Sequence, residues 1–94
     1  MKNNQELQYD ENGALIIELE YFPYERLKQM RKEKGYTQTQ IAERLNITKQ
    51  QYSLYETGKR RMPIEDYIIL AWIWNTSLDY LVGLTNEPRK LYEI

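Results

Sequence analysis

The tightest constraint in this chain is a pair of identical helix-start signals eleven residues apart. Thr37 and Gln40 form a T-x-x-Q capping box, and Thr48 and Gln51 repeat it. In such a box the hydroxyl and the amide satisfy backbone N–H groups that the first turn of a helix leaves without partners. Two starts this close leave room for one short helix and one tight turn between them. Asn46 sits where the first helix must reverse direction, and Asn is the non-glycine residue that most readily adopts the left-handed conformation of such a stop. Gly58 marks the end of the second helix. The segment therefore predicts helix, turn, helix.

Spacing assigns the faces. Ile41, Ala42 and Leu45 recur at helical intervals in the first helix, Tyr52 and Tyr55 do so in the second, and Ile47 bridges the turn. Rotation by about 100° per residue, with Tyr52 and Tyr55 inward, places Gln50, Leu54 and Thr57 on the opposite side, flanked by Gln51 and Ser53. That outer face carries amides, hydroxyls and one leucine, with Lys49 at its start and no acidic residue. Glutamine can bond adenine through two hydrogen bonds and leucine can touch a thymine methyl. Taken alone, such a face is more often plain solvated surface.

Charge segregation favours the sharper reading. Net charge is −1, yet residues 1–22 hold one basic and five acidic groups, 23–62 hold ten and four, and 63–94 hold two and five. The block sums are −4, +6 and −3, and the +6 block coincides with the helix pair. A local positive field of this kind is what phosphate binding requires.

From about Arg26 to Leu84 the chain resembles the phage repressor and Cro-type (XRE-like) helix-turn-helix regulators. The matching residues are Arg31 in a short first helix, Gln38 opening the second, small Ala42, the pair Ile47 and Thr48, and Glu56 before Gly58. A basic run, Lys59, Arg60 and Arg61, follows the second helix of the pair, and Ser77, Leu78, Asp79, Leu81, Gly83 and Leu84 match the closing pattern. Three positions depart from the family: Asn46 replaces the common Gly, Tyr52 the common Ile or Val, and Pro63 a capping Ser. The resemblance implies an all-α fold, a compact five-helix lambda-repressor-like DNA-binding domain. It implies an N-terminal extension over 1–22, the DNA-binding domain over 23–84 and a C-terminal tail over 85–94. It also implies that Arg31 and Glu56 form a structural ion pair.

The other helices are expected over about 24–34, from Pro63 to about Trp74, and from Ser77 to Val82. Glu65 and Asp66 suit the first turn of the fourth helix, and Gly35 stops the first. The fourth helix is apolar on every side from Ile68 to Trp74, which predicts cover on more than one face. A partner subunit and the apolar segment 14–22 are the candidates. Asn12 and Gly13 make a candidate type I′ turn, so the extension is a candidate for a short β-strand or hairpin, although an isolated hairpin is marginal and needs something to pack on.

Cysteine and histidine are both absent, so thiolate chemistry, disulfides and the usual nucleophile–base pairs are excluded. No enzyme, cofactor or metal site is expected. The longest apolar run, 67–74, is far short of the roughly 18 residues of a membrane span, and no signal peptide opens the chain. A cytoplasmic regulator follows as the expectation, with a double-stranded DNA operator as its partner. Lys49, Gln50, Gln51, Ser53 and Leu54 are the candidate base readers, and Gln38, Thr57, Lys59, Arg60 and Arg61 the candidate phosphate contacts. A homodimer is expected through 72–84, with 15–22 as a further contact. The alternative is a protein-interaction module such as an antitoxin or anti-repressor partner, with the apolar fourth helix and the N-terminal segment as its main working surface, and the two readings can coexist.

Overall fold

The computed structural model describes residues 7–16 and 24–94. Five helices follow a small hairpin: α1 Tyr24–Glu33, α2 Gln38–Leu45, α3 Lys49–Glu56, α4 Ile64–Trp74 and α5 Leu78–Leu81. Both capping boxes form completely. Thr37 Oγ1 accepts from the Gln40 N–H at 3.1 Å while Gln40 Oε1 accepts from the Thr37 N–H at 2.8 Å, and Thr48 and Gln51 repeat the exchange at 3.1 and 3.0 Å. Each hydroxyl cap stabilises its helix start by about 1 kcal/mol.

Two asparagines end helices in the left-handed region, Asn46 at φ 58° after α2 and Asn75 at φ 49° after α4. Gly58 does the same after α3, at φ 76°. A side chain there would also collide, because a Cβ on Gly58 would lie 2.6 Å from the Tyr24 ring. Tyr24 thus docks the start of α1 onto the end of α3.

The core draws on every helix. Leu27, Ile41, Tyr52, Leu70, Trp74 and Leu81 are its largest fully buried side chains, one or two from each of α1 to α5. In the same first turn of α1, Arg26 is buried as well. Its Nη1 donates to the Tyr80 carbonyl at 2.7 Å, its Nη2 to Asn86 Oδ1 at 2.8 Å, and its guanidinium lies 4.0 Å from the Tyr80 ring centre. Residues after α5 fold back over α4: the Ser77 N–H donates to the Arg89 carbonyl, and Asn75 Oδ1 accepts from the N–H groups of Leu91 and Tyr92. Tyr92 then stacks on Trp72 and donates its hydroxyl to the Trp72 carbonyl at 2.9 Å.

One expectation is corrected. The hairpin β1 Gln8–Tyr9 and β2 Leu15–Ile16 forms, antiparallel, but its turn is not type I′. Type I′ needs positive φ at both central residues, and of Asn12 and Gly13 only Gly13 has it. Asp10 closes the turn instead, its Oδ1 accepting from the N–H groups of Asn12 and Ala14. Within the single chain, α4 buries one face, Tyr67, Leu70, Ala71 and Trp74. Ile64, Ile68, Ile69 and Trp72 remain 40–57% exposed. Residues 7–15 are exposed throughout, and 17–22, the rest of the proposed cover, lie outside the described residues.

Candidate nucleic-acid interface

α2 packs chiefly on α3, and the Asn46 stop lets the chain reverse between them within three residues, 46–48. Ile41, Ala42 and Leu45 face Tyr52 and Tyr55 across this pair, and all five are buried. The opposite side of α3 is left outward. Lys49, Gln50 and Gln51 are exposed, while Ser53 and Leu54 are half-buried. Gln50 is therefore the outward amide with neither oxygen nor nitrogen taken up by the helix. Gln51 differs, because its carbonyl oxygen is occupied by the Thr48 N–H of the capping box.

The end of α3 aims the basic run. The Leu54 carbonyl accepts from the N–H groups of Lys59 and Arg60 at 3.1 and 3.2 Å, and from Thr57 Oγ1 at 3.3 Å. These bonds fold the loop back against the last turn and hold the backbone of exposed Lys59, Arg60 and Arg61 beside it.

Behind α3 lies a buried polar network. Arg31 Nε donates to Glu56 Oε2 at 2.6 Å and its Nη2 to Glu56 Oε1 at 3.1 Å, a two-pronged contact between α1 and α3. Arg31 Nη1 also donates to the Tyr36 carbonyl, and Gln38 Nε2 donates to Glu56 Oε1 at 3.1 Å. One carboxylate thus ties together α1, the start of α2 and the end of α3. Burial alone would raise the Glu56 carboxyl pKa, but the hydrogen bonds from Arg31, with Tyr52 and Gln38 beside it, hold it below the ordinary value. The Tyr52 hydroxyl lies next to this carboxylate, fully buried and outside hydrogen-bond geometry. Burial, then the neighbouring Glu56, pushes its pKa up.

A model of the helix-turn-helix family matches residues 27–81, more than half of the chain. The chain belongs to the helix-turn-helix family. It is 39% identical over 64 residues to the HTH-type transcriptional regulator YobD of Bacillus subtilis, whose role is uncharacterised, with 68% of this chain and 57% of YobD covered. It is 38% identical over 65 residues to the HTH-type transcriptional regulator ImmR of the same organism, covering 69% of this chain and 51% of ImmR. A crystal structure of a transcriptional regulator from Listeria innocua superposes with a TM-score of 0.63 at 37% identity, covering 69% of this chain and 61% of that one. The chain thus spans little more than half the length of these two Bacillus relatives. Family and relatives are regulators, not enzymes.

In this helix-turn-helix, α2 and α3 are the motif and α3 is its second helix. Of the candidate residues, Gln50, Leu54 and Thr57 share one outward surface with Lys49 at its edge, and Lys59, Arg60 and Arg61 continue it past the end of α3. Gln38 stands apart: it is half-buried, and its amide nitrogen is engaged by Glu56. The sequence offered no sign that Tyr52 would bring a phenol to the ion pair, since its spacing marks only an inward residue. Arg26 was also missed, because a lone charge at the edge of an apolar stripe reads as surface.

Proposed function

We propose that this chain is a sequence-specific double-stranded DNA-binding transcriptional regulator, a repressor that acts as a homodimer with α3 in the major groove. The observation that carries the reading is α3 itself: an amide-bearing face free of acid, held rigidly from behind by the Arg31–Glu56 pair and followed at once by three cations. Gln50 and Leu54, with Lys49, meet base edges; Ser53 flanks them, and Gln51 has only its amide nitrogen left to offer. Thr57, Lys59, Arg60 and Arg61 hold phosphates, and Gln38 at the start of α2 joins them only through the second hydrogen of the amide nitrogen that bonds Glu56. The names of the relatives support regulation of transcription.

The exposed face of α4 supports the homodimer. Ile64, Ile68 and Trp72 recur every fourth residue on one row, with Ile69 beside it and Leu84 exposed at the end of the predicted dimer segment. Joining two copies there removes this apolar row from water and, in a two-fold dimer, sets the α3 helices about 34 Å apart, one turn of duplex. The same row favours the second reading, a module whose main partner is another protein. No helix among the described residues is long and apolar enough to cross a membrane, and a DNA partner places the work in the cytoplasm.

The test is a titration of the protein against duplex from the promoter of its own gene and against mixed-sequence duplex, at several salt concentrations. Tighter binding to the promoter duplex, weakening steeply with salt, is the expected result. Equal, salt-insensitive binding to both would reject the reading.

A further inference from the structure

The exposed face of α1 is divided by charge. Setting Tyr24 at zero and advancing about 100° per residue, Arg31 falls at about −20°, Lys28 at about 40° and Lys32 at about 80°, followed by Glu25 at about 100°, Gln29 at about 140° and Glu33 at about 180°. Side-chain contacts fix which neighbour each edge faces. Tyr24 lies against Gly58 and Arg31 bonds Glu56, so the edge next to Lys28 borders the end of α3. Gln29 Nε2 reaches the Tyr80 hydroxyl at 3.4 Å and Glu33 Oε1 at 3.1 Å, so the acidic edge borders α5. The two lysines thus stand about one turn apart, about 6 Å along the axis, on the side of α1 that adjoins the motif.

An open cleft of about 440 Å³ runs along this edge, lined by Tyr24, Glu25, Lys28, Gln29, Lys32 and Glu56. Of its two acids, Glu56 is neutralised by Arg31, and Glu25 sits in the first turn of α1, where it complements the helix dipole. Among the described residues, neither Lys28 nor Lys32 is taken up in an ion pair. Both are exposed. Across Gly58, the chain enters Lys59, Arg60 and Arg61.

We infer that Lys28 and Lys32 form a second backbone-phosphate site, flanking the one at the end of α3, so that the bound duplex extends beyond the motif onto α1. The inference rests on the DNA-binding reading above. A solvated row of lysines with no role would equally be exposed; what sets this row apart is its place beside the end of α3 and the 59–61 loop, with Glu33 on the opposite edge and Glu25 the one acid of α1 that lines the same cleft. Phosphates crossing the end of α3 meet the cations of the 59–61 loop first and this row next.

The test uses the full chain carrying Lys28→Gln and Lys32→Gln together, with Glu33→Gln as a control on the opposite edge. Affinity for mixed-sequence duplex and for promoter duplex is measured between 50 and 200 mM salt. Each phosphate contact contributes about 0.9 to the slope of log K against log salt. The double variant should lose between about 1 and 2 from that slope on both duplexes, weaken both alike at low salt, and unfold at the wild-type denaturant midpoint. Glu33→Gln should keep the wild-type slope or steepen it slightly. A double variant that retains the wild-type slope, while Arg60→Ala flattens it, overturns the inference alone. Wild-type protein that binds neither duplex overturns the DNA-binding reading and this inference with it.

Discussion

Arg31 and Glu56, 25 residues apart in sequence, meet through two hydrogen bonds of 2.6 and 3.1 Å, and their side chains are only 10% and 2% exposed. Since Glu56 is the last residue of α3, this pair sets how the second helix of the motif leans on α1. Breaking such a buried pair leaves one charge stranded. Glu56→Ala should therefore lower stability by roughly 3 kcal/mol. Urea unfolding measures it, and a loss under about 1 kcal/mol would mean the pair behaves as a surface contact.

The same pair predicts an acid limb. The folded state holds the Glu56 carboxyl below its ordinary value of 4.5, so its contribution is fully present above that pH and is lost as pH falls through the lower folded value. Wild-type midpoints should decline on acidification below about pH 4.5. In Glu56→Gln, already destabilised, that decline should be shallower. Parallel curves for the two proteins would remove Glu56 from the account.

The Tyr52 hydroxyl is buried without a hydrogen-bond partner. An unsatisfied buried hydroxyl costs about 1–3 kcal/mol of desolvation. Tyr52→Phe, which keeps the ring packing, should be neutral or stabilise the fold by up to about 1 kcal/mol. A clear loss of stability would show that the hydroxyl works with the Arg31–Glu56 pair in solution.

Positioning and reading groups should fail in different ways. Arg60→Ala or Arg61→Ala should weaken promoter and mixed-sequence duplex alike and reduce the salt slope by about one unit. Gln50→Ala should lower promoter-duplex affinity by roughly 1–3 kcal/mol and spare mixed-sequence binding. Gln51→Ala should act mainly on stability, because its carbonyl serves the α3 cap. If Gln50→Ala weakens both duplexes equally, the outward face of α3 is not the reader.

For the homodimer, sedimentation of the wild-type chain at micromolar concentration should show two copies. Ile68→Asp, placed on the exposed row of α4 and away from the core, should give monomer with unchanged helical signal. A wild-type chain that stays monomeric with and without DNA counts against the assembly.

The helix pair was legible from sequence because its signals are local. Thr37 with Gln40 and Thr48 with Gln51 act within one turn of helix, Asn46 needs only its own backbone, and the inward positions of Ile41, Leu45, Tyr52 and Tyr55 follow from helical spacing. Those determinants also place Gln50 outward without reference to the rest of the molecule. What tertiary structure alone decided depends on residues far apart in sequence. Gln38, expected at phosphates, gives its amide to Glu56 because folding brings the start of α2 over the end of α3. Arg26 becomes buried because Tyr80 and Asn86, more than fifty residues away, supply a carbonyl, a ring and an amide oxygen that compensate its desolvation. The uncovered row of α4 belongs to the same class: hydrophobic periodicity shows that a helix is apolar on all sides, but only the packed fold shows which side its own chain leaves bare.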